Sequence, residues 1–286
     1  MKLYRPAGSL ASPGRTVSLS PRQAGWTYCG LEVIQLQGGS PVEIRCDGFE
    51  AAVLPLAGGG AVEVGSNTFR LTGRSSVFSA VSDFVFLPLG SEARLSSEGG
   101  SGGGSEGGEF AITTAVASRS LEPAYVPAEA VRVEIRGAGR STRQINNFMA
   151  ADAFEADSLI AVEVLTPAGN WSGWPPHKHD EFADGEVPLE EIYYYRFPSP
   201  NGFGIHRQYN QDRSTDLTLT VGDGDMVLVP EGYHGPCCAP PGYDMYFLNV
   251  MAGPVRRWEV SFDPAHAWVR EAWASEAPDP RLPLGR

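Results

Sequence analysis

The chain has 286 residues, 42% of them hydrophobic and 10% aromatic, and a formal net charge of -12. This apolar content can fill the cores of one large or two ordinary domains, so an intrinsically disordered chain is excluded. The sequence has no Lys/Arg cluster able to neutralise several phosphates, which argues against nucleic acids and anionic membrane surfaces as partners. The 34 glycines and 23 prolines favour short strands and turns over long helices. We therefore predict an all-β protein.

The cysteine content and the N-terminus bear on the cellular compartment. Cys29, Cys46, Cys237 and Cys238 form neither a CxxC pair nor a disulfide framework, so we expect reduced thiols. The N-terminal residues lack the continuous apolar core of a signal peptide, and no apolar run approaches the length of a membrane span. These features predict a cytoplasmic protein.

The first half of the chain has the pattern of an antiparallel β meander. Between residues 41 and 95, short alternating runs are separated by Gly, Asn and Ser: VEIR, AAVLPL, AVEV, FRLTG and FVFLPLG. Residues 98–108, EGGSGGGSEGG, are too polar and too rich in glycine to pack, and they predict a flexible surface loop. Residues 102–107 match GxGxxG, but no helical pattern follows, so we interpret the match as a product of low complexity.

A second series of strands follows a proline-containing connector at residues 121–130. Its runs are VRVEIRG, SLIAVEVLTP, IYYYRF, GFGIHRQYN, DLTLTVG, DMVLVP and DMYFLNVMAG. A helical turn or two is expected near residues 268–273. We therefore predict two domains, residues 1–130 and residues 131–286.

An internal similarity connects the two halves. Aligning Pro88 with Pro230 sets FVFLPLGSE against MVLVPEGYH, and two copies of one barrel explain this most economically. In the alignment Glu92 takes the place of His234, and all five histidines of the chain lie in the second half. The prediction is two β-barrels of which only the second holds a metal.

Four residues of the second half have the chemistry of a metal site. His177 and His179 are two residues apart, so on a strand both imidazoles point to one face. Glu191 begins the IYYYRF strand, and His234 follows a Pro-x-Gly turn. Three imidazoles and a carboxylate suit zinc, manganese, iron or nickel. By itself, a His-x-His pair lies on the surface without binding a metal about as often as it binds one. Glu190 is the alternative to Glu191 as the carboxylate ligand.

At this point the residues resemble the cupin superfamily, and within it the 5-deoxy-glucuronate isomerase family, which is related to 5-keto-4-deoxyuronate isomerase. The runs that carry the resemblance are PPHKHDE, LEEIYYYRF, GDGDMVLVPEGYHGP and GYDMYFLNVMAGPVRRW. One departure is that 11 residues separate His179 from Glu191, more than in most cupins. The resemblance implies a bicupin, with jelly-roll barrels, and carries the metal ligands over to His177, His179, Glu191 and His234.

The resemblance also implies an activity. The family converts 5-deoxy-D-glucuronate into 5-dehydro-2-deoxy-D-gluconate in inositol catabolism, an aldose to ketose shift in which one divalent ion, Zn or Mn, with Fe or Ni as alternatives, acts as a Lewis acid. The groups expected to take part in catalysis are Glu191, Tyr193 and Tyr195, with Glu181 and Glu190 as further candidates for the base. A guanidinium suits the substrate carboxylate, and the candidates are Arg143, Arg207 and Arg213.

Two other functions use the same ligands. An iron-dependent cupin dioxygenase shares the three histidines and the glutamate, and a non-catalytic cupin could bind a sugar acid without turnover. We expect a small sugar acid as the partner, with no nucleic acid and no membrane, and a homo-oligomeric assembly.

Overall fold

The computed structural model describes residues 1–37, 40–98 and 107–285. Within these ranges the chain consists of antiparallel strands and short helices, which confirms the all-β prediction. The α-helices are α1 (Pro21–Ala24) and α2 (Val269–Ala272), and 3-10 helices lie at Ala128–Ala130, Gly139–Ser141 and Trp273–Ser275. Most of the predicted glycine-rich loop, residues 99–106, lies outside the described residues. Across the described ranges, no helix has the length and apolarity needed to cross a membrane.

The first half forms a nine-stranded sheet that curls on itself. Six of its strands lie side by side in the order β10-β7-β5-β9-β3-β2, and β4, β6 and β8 extend the sheet. The extension arises because β5 is long: its first part pairs with β7 and β9, and its second part pairs with β6 and β8. The strands of this half, together with β1, are β1 (Tyr4–Arg5), β2 (Val17–Leu19), β3 (Cys29–Gln37), β4 (Val42–Arg45), β5 (Phe49–Val64), β6 (Asn67–Arg74), β7 (Phe84–Leu87), β8 (Glu92–Glu98), β9 (Gly107–Val116) and β10 (Ala124–Val126).

The second half forms two facing sheets. Their orders are β1-β19-β16-β21-β13-β12-β11 and β18-β17-β20-β15-β22, with β14 beside β20. The strands are β11 (Arg132–Arg136), β12 (Arg143–Asn147), β13 (Ile160–Thr166), β14 (Trp171–Ser172), β15 (His177–Lys178), β16 (Glu190–Arg196), β17 (Phe203–Tyr209), β18 (Asp216–Gly222), β19 (Met226–Val229), β20 (Tyr233–Cys238), β21 (Met245–Ala252) and β22 (Ser261–Phe262).

In the part of the chain that the structure describes, three apolar cores hold these sheets together. One core fills the first barrel, one fills the second, and the third lies between the halves and takes residues from both. Side chains alternate along β16, so this one strand contributes to two of the cores. Ile192 and Tyr194 face the core shared by the halves, whereas Tyr193 and Tyr195 face the interior of the second barrel. Burial on both faces accounts for the run of apolar residues that IYYY presents in the sequence.

The predicted repeat has a counterpart in the strand pairing. β7 and β19 are both buried four-residue strands, and each is followed by a turn whose glycine has positive φ, +83° at Gly90 and +85° at Gly232. β7 pairs with β5 as β19 pairs with β16. β8 pairs with β4 as β20 pairs with β15. The two barrels therefore have the same local topology.

These pairings give three of the four candidate ligands, His177, Glu191 and His234, a counterpart in the first barrel. The register Arg45↔Glu92 in β4 and β8 corresponds to His177↔His234 in β15 and β20. Ala51 pairs with Leu87 as Glu191 pairs with Val229, so Ala51 takes the place of the glutamate. The first barrel therefore carries side chains of different chemistry at the positions of the candidate ligands.

Candidate metal centre

Three histidine side chains converge inside the second barrel. His177 and His179 come from β15 and the residue that follows it, and His234 comes from β20, which pairs with β15 directly at His177↔His234. One ring nitrogen of each histidine lies within 4.8 Å of the others. His179 and His234 are 2% and 0% exposed, so water does not solvate these rings. The cluster has the donor type and the spacing that a transition-metal ion requires.

Glu191 completes the set from the opposite sheet. Its Oε2 lies 3.0 Å from Nε2 of His179 and 3.0 Å from Nε2 of His234. The carboxylate is 3% exposed, and it starts the inward-facing row of β16. The structure thus brings together all four side chains that the sequence predicts as metal ligands.

Backbone carbonyls orient two of the imidazoles. Nδ1 of His179 donates to the carbonyl oxygen of Leu189 at 2.9 Å, and Nδ1 of His234 donates to that of Gly232 at 3.1 Å. In this tautomer each Nε2 carries a lone pair that faces the centre of the cluster. Nε2 of His234 is buried and lacks an aligned hydrogen-bond partner in the described residues. A cation at the centre would satisfy this nitrogen, so the residues fit a bound metal ion.

The charges of the cluster also fit a cation. Burial acts to raise the pKa of Glu191, but the contacts with His179 and His234 outweigh it and hold that pKa well below its usual range. Burial, with the two neighbouring imidazoles, lowers the pKa of His177. Burial also acts to lower the pKa of His179, but the hydrogen bond with Glu191 outweighs it and the pKa is raised. The buried carboxylate is therefore kept ionised by its imidazole neighbours, which is the state that a metal ligand requires.

Glu190, the alternative carboxylate, points away from the cluster. Its carboxylate accepts hydrogen bonds from the backbone N–H groups of Thr27, Tyr28 and Cys29, at 2.6 to 3.1 Å. Consecutive side chains of a strand face opposite sides, so Glu190 contacts the first half of the chain while Glu191 faces the barrel interior. Glu190 therefore serves the contact between the halves.

A cavity of about 360 Å³ opens beside the cluster. Its wall includes His177 and Glu191, the guanidinium of Arg143 and the ring of Tyr193. Arg143 is 8% exposed, and its one side-chain hydrogen bond within the described residues goes to the carbonyl oxygen of Ser141 at 3.3 Å. Burial and the nearby Arg136 lower the pKa of Arg143. A buried cation without a carboxylate partner indicates that the cavity receives an anionic group.

Tyr195 has a different environment from the one expected. Its hydroxyl lies 2.7 Å from Nδ1 of His206 and 3.2 Å from Sγ of Cys237, and it does not line the cavity. Two residues along a strand advance the chain by about 7 Å, so Tyr195 lies deeper in the barrel than Tyr193. Burial raises the pKa of Tyr195 well above its usual value. The structure does not bring Tyr195 to the cavity, so the expected part of Tyr195 in catalysis stays a prediction that this geometry does not support.

Arg207 and Arg213 lie outside the cavity as well. They line a separate depression on the outer face of β17, where both guanidinium groups lie over the ring of Tyr209, at 4.8 and 3.9 Å from its centroid. Both also pair with Asp216. His206 and Gln208 point inward from β17, so the residue between them points outward. Of the three predicted arginines, Arg143 lines the cavity beside the metal ligands, and Arg207 and Arg213 line the separate depression.

Three charged residues of the cavity wall, Glu134, Arg136 and Arg270, were missed at the sequence level. Glu134 and Arg136 of β11 line it and bind each other through two hydrogen bonds of 2.8 and 2.9 Å. The signal was present in RVEIR, where charged residues alternate with apolar ones and so share one face of the strand. Glu181 and Glu190, the expected carboxylate candidates, do not line the cavity, whereas Glu134 does.

Comparisons with known proteins identify the family of this chain. The family model described as KduI/IolB matches residues 3–269. The chain belongs to the KduI/IolB family. A relative in Geobacillus kaustophilus, named 5-deoxy-glucuronate isomerase, is 39% identical over 274 residues, which cover 95% of this chain and 96% of the relative. The KduI/IolB assignment also agrees with the resemblance found in the sequence.

Solved structures confirm the fold of this KduI/IolB protein. An IolB-like protein from Salmonella typhimurium superposes with a TM-score of 0.86 and 37% identity, covering 94% of this chain and 99% of the other. Oxalate decarboxylase from Lactobacillus farciminis superposes with a TM-score of 0.65 and 12% identity, covering 92% and 88%. The second likeness concerns the fold alone, and it confirms the predicted bicupin architecture.

Proposed function

We propose that this KduI/IolB protein is a metal-dependent aldose–ketose isomerase that acts on 5-deoxy-glucuronate. The observation that carries the proposal is the convergence of three imidazoles and Glu191 beside a cavity that holds the unpaired guanidinium of Arg143. The relatives that bear this name match the chain over nearly its whole length. The metal ligands would serve the carbonyl end of a sugar acid, and the anion-binding group would serve its carboxylate.

His177, His179, Glu191 and His234 would hold one divalent cation. Three nitrogen donors and one oxygen donor suit Zn²⁺ or Mn²⁺, with Fe²⁺ or Ni²⁺ as alternatives. When bound, the cation supplies Lewis acidity that polarises the carbonyl end of the substrate. The chain itself contributes orientation, because Leu189 and Gly232 hold the Nε2 lone pairs of His179 and His234 toward the centre.

Arg143 and Tyr193 bind the substrate within the cavity. The guanidinium of Arg143 is buried and has no carboxylate partner among the described residues, so it donates charge-assisted hydrogen bonds to the substrate carboxylate. Burial, together with the charge of Glu191 and a hydrogen bond with it, raises the pKa of Tyr193 well above its usual value, so its hydroxyl keeps the proton beside the substrate. Together they fix which end of the sugar faces the metal ligands.

Glu134 moves the proton between the two neighbouring carbons. Among the described residues it is the carboxylate of the cavity wall that is not a candidate ligand. Arg136 and Asn147 hydrogen-bond to it and lower its pKa, so it is ionised and able to accept a proton at neutral pH. Aromatic side chains form part of the remaining wall: Phe247, Trp258, Phe262 and Trp273.

The decisive experiment measures ketose formation from 5-deoxy-glucuronate together with the metal content. Metal-loaded wild-type protein should turn over, and thorough chelation should abolish activity. His177→Ala and His234→Ala should lose the metal. Glu134→Gln should keep the metal and lose at least 100-fold in kcat, because general acid–base catalysis contributes about 10²–10⁴-fold.

Three outcomes would contradict the proposal. Full activity in chelated protein with no bound metal would remove the role of the cation. Oxygen uptake by the iron-loaded protein, without ketose formation, would favour the dioxygenase alternative. Binding of the sugar acid without any turnover would favour the non-catalytic alternative.

A further inference from the structure

Three carboxylates lie close together just outside the candidate metal centre. Oxygen atoms of Asp180, Glu181 and Glu186 lie within 4.8 Å of one another, a spacing that by itself would also suit a cation. The ammonium group of Lys178 already occupies the centre of this group. Its Nζ lies 2.7 Å from Asp180 Oδ1, 2.6 Å from Glu181 Oε1 and 2.9 Å from Glu186 Oε1.

Lys178 stands between two metal-ligand candidates on one short strand. His177 and His179 face the centre, so the side chain between them leaves from the opposite face of the strand. There it is covered by the insertion at residues 180–189 and is only 9% exposed. A buried ammonium group is stable only when it is paired, and here three carboxylates pair with it.

The carboxylate of Asp180 connects this group to His234. Its Oδ2 accepts a hydrogen bond of 2.7 Å from the backbone N–H of Gly232. The carbonyl oxygen of the same Gly232 accepts the hydrogen bond from Nδ1 of His234. A continuous series of polar contacts therefore runs from the Lys178 ammonium through Asp180 and Gly232 to the imidazole of His234.

The insertion connects the same group to His179. The carboxylate of Glu186, 1% exposed, accepts hydrogen bonds from the backbone N–H groups of Asp180 and Glu181 at 2.9 and 3.2 Å, which closes the insertion into a compact loop. At the end of this loop, the N–H of Leu189 donates to the carbonyl oxygen of His179 at 2.9 Å, and its carbonyl oxygen accepts from the ring of His179. The loop therefore fixes the orientation of a second imidazole.

We propose that Lys178 and the insertion at residues 180–189 form a positioning clamp, which holds the imidazoles of His179 and His234 in the orientation that binds the cation. This inference rests on the proposed metal site and assigns a role to ten of the 11 residues between His179 and Glu191. The clamp residues act through the ligands and do not touch the substrate. Hydrogen-bond partners of metal-ligating histidines typically change metal affinity by about 10- to 100-fold when they are removed.

The test is a titration of the metal-free full chain with Co²⁺, read by visible absorption, which reports the coordination geometry without any assay of isomerase activity. Wild-type protein should bind one Co²⁺ per chain. Lys178→Met and the milder Asp180→Asn should each weaken binding by about 10- to 100-fold and shift the absorption bands. Lys178→Arg, which keeps the charge, should restore part of the affinity.

Arg196→Met is the matched control. Arg196 also pairs with two carboxylates, Glu109 at 2.6 Å and Asp223 at 3.0 Å, but it contacts neither the insertion nor the candidate ligands. Its removal should lower stability and leave the affinity for Co²⁺ and the spectrum unchanged.

The outcomes separate the clamp from the metal site. Normal binding by wild-type protein, with the same affinity and spectrum in Lys178→Met and Asp180→Asn, overturns the clamp alone. Two Co²⁺ ions per wild-type chain also overturn it, because the three carboxylates would then bind a metal in place of Lys178. Wild-type protein that binds no Co²⁺ overturns the proposed metal site and the clamp together.

Discussion

Side chains of one type perform different roles in this protein according to the face of the strand from which they leave. Glu190 and Glu191 are identical in chemistry and adjacent in the chain, yet one binds backbone N–H groups of the first half and the other faces two imidazoles. Arg143 and Arg207 differ in the same way, one lining the cavity and the other lying on the outer surface. The residue type suggested which side chains are candidates for the site, and the face of the strand from which each leaves decided which of them reach it.

The unpaired guanidinium of Arg143 leads to a prediction about both binding and stability. Arg143→Met should raise KM for the sugar acid by about 10- to 100-fold, because a charge-assisted hydrogen bond contributes about 1.5–3 kcal/mol. The same variant should be more stable than wild type by about 1 kcal/mol, because it no longer buries an unpaired charge. Steady-state kinetics and urea unfolding measure the two effects.

Arg207→Met provides the control for this prediction, because Arg207 lies outside the cavity. Its KM should equal that of wild type. A raised KM in Arg207→Met, with no change in Arg143→Met, would reverse the assignment of the carboxylate-binding arginine.

His206 predicts a pH dependence of stability. It is fully buried, its Nδ1 contacts the hydroxyl of Tyr195, and Cys237, Tyr193 and His234 lie around it. Burial, with His234, lowers the pKa of His206 to about 3. Histidine in an unfolded chain has a pKa of about 6.5, so between these values the unfolded chain binds a proton that the folded chain does not. The stability contribution is therefore full above pH 6.5 and declines as the pH falls toward 3.

The measurement is urea unfolding of metal-free protein at pH 7 and pH 4.5. Over this interval His206 should account for about 2–3 kcal/mol of lost stability. His206→Phe should lack this part of the pH dependence, whatever its stability at pH 7. An equal loss in both proteins would show that His206 is solvated or already protonated in the folded state.

At the level of single elements, the Pro-x-Gly turn between β19 and β20 positions one ligand. Gly232 has φ +85°, and a Cβ there would lie 2.5 Å from Oδ1 of Asn210 and 2.9 Å from the carbonyl oxygen of Tyr209. Its N–H and its carbonyl oxygen bind Asp180 and His234. Glycine is required here both for the left-handed conformation and for the close approach.

Gly232→Ala should therefore weaken metal binding at least 10-fold, because the shifted turn displaces the imidazole of His234. Gly90→Ala in the first barrel is the control, since Gly90 has nearly the same φ, +83°, but open space around its Cβ and no metal ligand beside it. Both variants should lose about 1 kcal/mol of stability from the left-handed conformation. Metal titration should distinguish the two variants. Equal metal affinities in Gly232→Ala and Gly90→Ala would contradict the role of this turn.

The repeat of strand and turn was predictable because it depends on local pattern. Buried strands of four residues, a proline and a glycine two residues later are visible in FVFLPLG and MVLVPEG, and the structure gives both the same strand pairing. The role of the insertion at residues 180–189 was not predictable, because its hydrogen bonds join residues that only the folded barrel brings together.

In the whole molecule the two halves are interlocked. β1, at the N-terminus, pairs with β19 of the second half, and the largest apolar core takes residues from both halves. Glu163 of β13 forms a buried ion pair with Arg74 of β6 and also binds the hydroxyl of Tyr246 at 2.8 Å. The predicted boundary near residue 130, the homo-oligomeric assembly and the cytoplasmic location stay predictions.

The pair of Arg74 and Glu163 gives a prediction at this scale. Both side chains are essentially inaccessible to water, so Arg74→Met leaves an uncompensated buried carboxylate and should lower the free energy of unfolding by about 3–5 kcal/mol. The exposed pair of Arg94 and Glu63, 3.8 Å apart, is the control, and Arg94→Met should change stability by less than about 1 kcal/mol. Urea unfolding compares them, and similar losses would show that the buried pair does not link the halves.

Sequence alone determined the strand content, the repeat, the four candidate ligands and the family resemblance, because these depend on local alternation, turn chemistry and the spacing of donor groups. Tertiary structure decided which of the arginines and tyrosines reach the cavity and placed Glu134 and Arg136 in its wall. It also placed the ammonium group of Lys178 among three carboxylates beside the candidate metal centre. The physical reason is that strand pairing sets the depth and direction of each side chain, and pairing joins residues that are far apart in the chain.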